Sequence, residues 1–114
     1  LGDKHVSKTT LELITFTLKS DITESQWSEL QPSLDTFLLE QEGFLYRSLT
    51  KGDDGIWFDA IYWRSIENAQ KVGELFPKSE IGQQLCALID EKSVTMRLME
   101  VVAESMGACD SAAA

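Results

Sequence analysis

Residues 56–64 read Ile56-Trp57-Phe58-Asp59-Ala60-Ile61-Tyr62-Trp63-Arg64, and both faces of the run are apolar. At the period-two spacing of a strand, Ile56, Phe58, Ala60 and Tyr62 share one face while Trp57, Ile61 and Trp63 share the other. An antiparallel strand with one wet face alternates apolar with polar residues. This strand is therefore expected to be covered on both sides, by the chain's own helices on one and by a second copy of the chain on the other. Asp59 is the exception, an acid on the face of Trp57, Ile61 and Trp63.

Working outward, Phe44 to Lys51 is a second β-rich run, joined to the first through Gly52-Asp53-Asp54-Gly55, so the two form a hairpin. Ahead of it, Glu12 to Lys19 alternates, with Ile14, Phe16 and Leu18 on one face and Leu13, Thr15 and Thr17 on the other. Thr23-Glu24-Ser25-Gln26 is a capping box that starts a helix. Trp27, Leu30, Leu34, Phe37 and Leu38 form the apolar stripe of that helix, and Gly43 occupies the place of a left-handed C-cap. Pro32 falls inside the stripe, and because the phase is kept across it, one bent helix is expected. Beyond the hairpin, Ser65 caps a helix carrying Ala69, Val72, Leu75 and Phe76, and Phe76-Pro77-Lys78-Ser79 separates it from a second short helix with Ile81, Leu85, Leu88 and Ile89. Ser93 to Val102 reads as the last strand, with Val94, Met96 and Leu98 on one face and Thr95, Arg97 and Met99 on the other.

The order is strand, helix, strand, strand, helical region, strand. It predicts an α+β, ferredoxin-like βαββαβ domain, a four-stranded antiparallel sheet with its helices on one face, assembled as a dimeric α+β barrel. At 114 residues one domain is expected, over 11–103, with a flexible leader at 1–10 and a disordered tail at 104–114. A net charge of -9 argues against a nucleic-acid partner, and no apolar run is long enough for a membrane span. Leu1 to Thr9 carry no apolar stretch and are not read as a signal peptide, and two unpatterned cysteines suit a cytoplasmic location. Of these, Cys86 is expected to be a buried structural thiol and Cys109 an exposed one. No metal-ligand spacing, phosphate loop or nucleophile elbow is present.

Asp59 is the most informative candidate. It is either the buried partner of Arg97 or Arg47 on a neighbouring strand, or a general base with a raised pKa in an apolar cleft. Trp63, Trp57 and Tyr62 either line a pocket for a flat aromatic ligand or belong to the core and interface. Phe16 and Arg97 complete the set of candidate binding residues.

Gln41-Glu42-Gly43-Phe44-Leu45, followed by the hairpin and Tyr62-Trp63-Arg64-Ser65-Ile66-Glu67-Asn68-Ala69, resembles the antibiotic biosynthesis monooxygenase-like family of dimeric α+β-barrel proteins. In that family too a Gly-Phe starts the second strand, and a Trp with Ser-x-Glu/Asp closes the third. The resemblance runs from about Leu11 to Val102. It implies a homodimer and, among the family's activities, a cofactor-independent monooxygenase acting on a small aromatic, quinol-type substrate. The alternative is a non-catalytic homodimer that binds a small molecule or plays a structural part. The oxygenases carry an Asn and a Trp four residues apart on the third strand, a Tyr in the next helix and an Arg beyond it. Those positions fall on Asp59, Trp63, Ala69 and the vicinity of Gln83, which assigns Asp59 and Trp63 the catalytic roles by resemblance. The haem-degrading branch uses a helix histidine, whereas the one histidine here is His5 in the leader.

Overall fold

The computed structural model of the chain describes residues 8–108. His5, Cys109 and most of the expected leader and tail lie outside the described residues. β1 (Thr10–Phe16), β2 (Phe44–Lys51), β3 (Trp57–Trp63) and β4 (Thr95–Glu100) form one antiparallel sheet in the order β2-β3-β1-β4. The helices are α1 (Glu24–Glu29), α2 (Gln31–Leu39), α3 (Ile66–Leu75) and α4 (Glu80–Cys86), with 3-10 turns at Phe76–Lys78 and Glu91–Ser93. This is the ferredoxin-like α+β fold.

The local signals act as their chemistry requires. Thr23 Oγ1 accepts from the Gln26 N–H at 3.1 Å and Gln26 Oε1 accepts from the Thr23 N–H at 2.8 Å, which caps α1 reciprocally. Ser65 Oγ accepts from the Asn68 N–H at the start of α3. In the hairpin, Gly55 takes φ +85° and its N–H bonds to the Gly52 carbonyl.

Three backbone expectations are corrected. The helical region after Thr23 is two helices rather than one bent one, because Pro32, which has no N–H to give, sits in the first turn of α2, where none is needed. Trp27, Leu34 and Leu38 nevertheless stay on one buried face across the restart. Gly43 has the positive φ expected of it, +85°, but stands in the turn beyond α2, which ends at Leu39. A side chain there would also collide with Asn68, whose Oδ1 lies 2.2 Å from where a Cβ would be. The last strand is shorter than its pattern, since Ser93 closes a 3-10 turn and accepts from the Thr17 N–H.

Register decides what faces the helices. Glu12, Ile14 and Phe16 of β1 stand opposite Ile61, Asp59 and Trp57 of β3, and Leu98 and Met96 of β4 stand opposite Glu12 and Ile14. With Arg47 and Leu49 of β2 they make the inner face. The core on it includes Phe16, Trp27, Leu34, Leu38, Trp57, Ile61, Trp63, Val72 and Leu85. Burial of each such large apolar side chain contributes about 1.5–3 kcal/mol. Phe16, Trp27 and Trp57 pack in series, with ring centroids 5.1 and 6.1 Å apart. The outer face carries Leu11, Leu13, Phe58, Ala60, Tyr62 and Met99, and Tyr62 packs against Tyr46 there. No helix among the described residues is long and apolar enough to cross a membrane.

Candidate functional site

Between the inner face of the sheet and the helices lies a cavity of about 390 Å³. Ile14, Phe16, Ile61 and Trp63 wall it from the sheet, and Trp27, Leu34, Leu38, Val72 and Leu85 from the helices. Among its exposed lining residues, Gly73, Pro77 and Cys86 lie on the helical side and Glu91, Val94 and Met96 lead into β4. The polar side chains that line it with charge are Glu12, Asp59 and Glu91.

Asp59 is 6% exposed, and both its oxygens are occupied. Arg47, one strand over on β2, donates from Nε to Oδ1 and from Nη2 to Oδ2, each at 2.8 Å. Its Nη2 also reaches Gln31 Oε1 at 2.8 Å, and its Nη1 lies 3.5 Å from Asp35 Oδ1, so the same guanidinium ties α2 to the sheet. A two-pronged pairing of this kind is the geometry a guanidinium offers a carboxylate.

Glu12 is placed differently. Its Oε1 accepts from Trp63 Nε1 at 2.9 Å, and no other hydrogen bond to it forms among the described residues. Burial pushes its pKa above the ordinary 4.5, the Trp63 N–H opposes that, and the nearby Asp59 charge adds to the rise. Trp63, fully buried and edge-on to Phe44, holds its indole N–H toward the carboxylate. The result is a half-buried carboxylate, oriented by an indole and facing an apolar cavity, suited to accepting a proton from a bound hydroxyl. A second indole N–H, that of Trp27, is buried without an acceptor among the described residues.

Of the residues singled out in the sequence, Asp59, Trp63 and Phe16 come together on the cavity wall. Trp57 is buried behind Trp27 and does not line the cavity. Tyr62 and Arg97 are on the outer face, Arg97 opposite Leu13, so neither reaches it. The partner of Asp59 is Arg47, not Arg97, because Arg97 stands on the other side of the sheet. Glu12 was not singled out, yet the signal that drew attention to Asp59 applies to it: it is an acid in phase with Ile14 and Phe16 on an otherwise apolar strand face. Cys86 is exposed rather than buried, since it follows Leu85 and lies about 100° round α4 from the stripe that Leu85 buries. Among the described residues, no group of three His, Cys, Asp or Glu side chains is placed to hold a metal ion.

No protein-family profile matches the sequence. No curated protein matches it either. Solved structures do match in fold. SnoaB, a cofactor-independent oxygenase from Streptomyces nogalater, superposes with a TM-score of 0.65 at 14% identity, over 88% of this chain and 97% of that one. A candidate antibiotic biosynthesis monooxygenase from Caulobacter crescentus gives 0.70 at 10% identity, over 89% and 96%. A hydroxynitrile lyase from Passiflora edulis gives 0.68 at 8% identity, over 88% and 98%. The chain thus has the fold of the antibiotic biosynthesis monooxygenase-like proteins that its sequence resembles.

The Arg47–Asp59 pair carries a stability prediction. Arg47→Met, which strands a buried carboxylate, is expected to cost about 3–5 kcal/mol in urea unfolding, and the double variant Arg47→Met/Asp59→Leu clearly less. Equal costs would mean that Asp59 does not depend on its partner. Glu12 carries a pH prediction. The fold disfavours its charged form, so its contribution to stability is fully present below pH 4.5 and is lost as pH rises through the raised pKa. Glu12→Gln is therefore expected to gain on the wild type across that interval and to hold the gain above it, in urea midpoints taken from about pH 4 to 8. A difference that does not vary with pH would contradict the buried carboxylate.

Proposed function

We propose that the cavity binds a small hydroxylated aromatic compound and that the protein is a cofactor-independent monooxygenase of the quinol-oxidising kind. The observation that carries this reading is Glu12, a carboxylate hydrogen-bonded by Trp63 alone among the described residues, on the wall of an apolar cavity large enough for a two- or three-ring compound. The named activity of SnoaB, on the same fold, supports it.

In this mechanism Glu12 takes the hydroxyl proton, and the aryloxide becomes the electron donor. A ring carbon bonds to dioxygen, and the peroxide anion takes the proton back from Glu12. Loss of the ring C–H proton with cleavage of the O–O bond then gives a quinone carbonyl and releases water. One oxygen atom enters the product and one leaves as water, with four electrons moved from the ring carbons to dioxygen. Trp63 keeps Glu12 in place and offers its ring to the substrate. Asp59, held by Arg47, is left a structural and electrostatic part rather than the base.

Oxygen uptake with a panel of naphthols and quinols tests this directly. Uptake matched by quinone formation is expected, falling about 100-fold or more in Glu12→Gln. Uptake unchanged in Glu12→Gln would contradict the assigned base. The pairing of Asp59 with Arg47 favours one other reading, binding without turnover. Bound naphthol with no oxygen uptake would decide for it.

The same reading includes a homodimer formed through the outer face of the sheet. Phe58 and Tyr46 are 39% and 59% exposed there beside Leu11, Leu13 and Tyr62, an apolar sheet face with no helix over it among the described residues. Light scattering at micromolar concentration is expected to give about 26 kDa, twice the 12.8 kDa of one chain, and a mass of one chain would contradict it.

A further inference from the structure

The charge on the cavity walls is all of one sign. Glu12 and Asp59 stand on the sheet side and Glu91 among the exposed lining residues, and no Lys, Arg or His is among the described residues that line it. Arg47, the cation nearest Asp59, is not on the wall, and its hydrogen bonds go to Asp59 and Gln31. The indole N–H of Trp63 is taken by Glu12. The Trp27 indole N–H is itself buried, and the described lining offers an incoming anion no cationic side chain to pair with.

We infer that this cavity accepts uncharged hydroxyaromatic compounds and excludes their carboxylated counterparts. The inference rests on the proposed hydroxyaromatic site and narrows its substrate class. A carboxylate entering the cavity sheds its water against apolar walls and meets no counter-ion. It comes near Glu91 and Glu12, and like charges in a poorly screened space repel strongly. Entering as the neutral acid is no escape, because near neutral pH a carboxylic acid is almost wholly ionised. The Asp59–Arg47 pair is neutral as a unit, so Glu12 and Glu91 set the balance.

Matched probes isolate the charge from size and shape. The full chain would be titrated calorimetrically near neutral pH with 2-naphthol, 6-hydroxy-2-naphthamide and 6-hydroxy-2-naphthoate, the last two nearly isosteric. The naphthol and the amide are expected to bind, and the carboxylate to bind about tenfold or more weakly than the amide. The gap is expected to narrow in the Glu12→Gln/Glu91→Gln double variant, which removes the like-charge repulsion and leaves the apolar walls, and a gap that persists there in full overturns the inference. Carboxylate binding as tight as the amide's overturns it alone and leaves the hydroxyaromatic reading standing. Failure of both neutral probes to bind overturns the two together.

Discussion

The pairing of Arg47 with Asp59 is the interaction on which the rest of the site depends. β3 is the strand through which the sheet, the helices and the cavity meet, and its inner face is buried throughout. An acid there is tolerated only with a partner, since an unpaired buried carboxylate costs several kcal/mol. The register of β2 on β3 sets Arg47 opposite Ile61 and so diagonal to Asp59 on the same face, and the length of the arginine lets its head group reach Asp59 as well as Gln31 and Asp35 on α2. One guanidinium thereby neutralises the core acid and ties α2, which brings Leu34 and Leu38 to the cavity wall, to the sheet. It also occupies both oxygens of Asp59, whereas Glu12 is bonded by the Trp63 indole alone among the described residues.

That division of labour could not be read in full from the sequence. Period-two alternation places Asp59 and Glu12 on apolar faces, but both look alike until the strands are paired. Only the register shows that Arg47 falls beside Asp59 while Glu12 meets the Trp63 indole. Arg97 and Tyr62 stand on the outer face, Arg97 opposite Leu13 and Tyr62 opposite Leu11. Alternation within a strand says which residues share a face, and the assignment of that face to the helices needs the neighbouring strands. Features whose physics is local were legible: the Thr23–Gln26 capping box, the Ser65 cap, the Gly52–Gly55 hairpin and the break at Pro77. Pro32 marks the boundary between the two cases, because a kept hydrophobic phase fits a bend or a restart equally well, and the missing N–H is satisfied best by a new first turn.

The ferredoxin-like frame supplies a covered sheet face and a cavity under the helices, and it leaves the chemistry to a few side chains. On the proposed reading those side chains are a carboxylate whose charge burial disfavours and an indole that holds it, in a mostly apolar lining whose other charged groups are Asp59, paired with Arg47, and Glu91. Such a cavity gives a hydroxyl proton somewhere to go and gives an anion nothing to bind. The proposed base and the proposed selectivity both draw on Glu12, a charge with no cationic partner on the cavity wall, and the selectivity draws on Glu91 as well.

A crystal structure with 2-naphthol bound tests the central assignment most directly. The naphthol ring is expected in the cavity beside Trp63, with its hydroxyl within hydrogen-bond distance of Glu12 and the Arg47–Asp59 pair undisturbed. A naphthol whose hydroxyl instead displaces Arg47 from Asp59, or one bound on the outer face beside Tyr62, would contradict it.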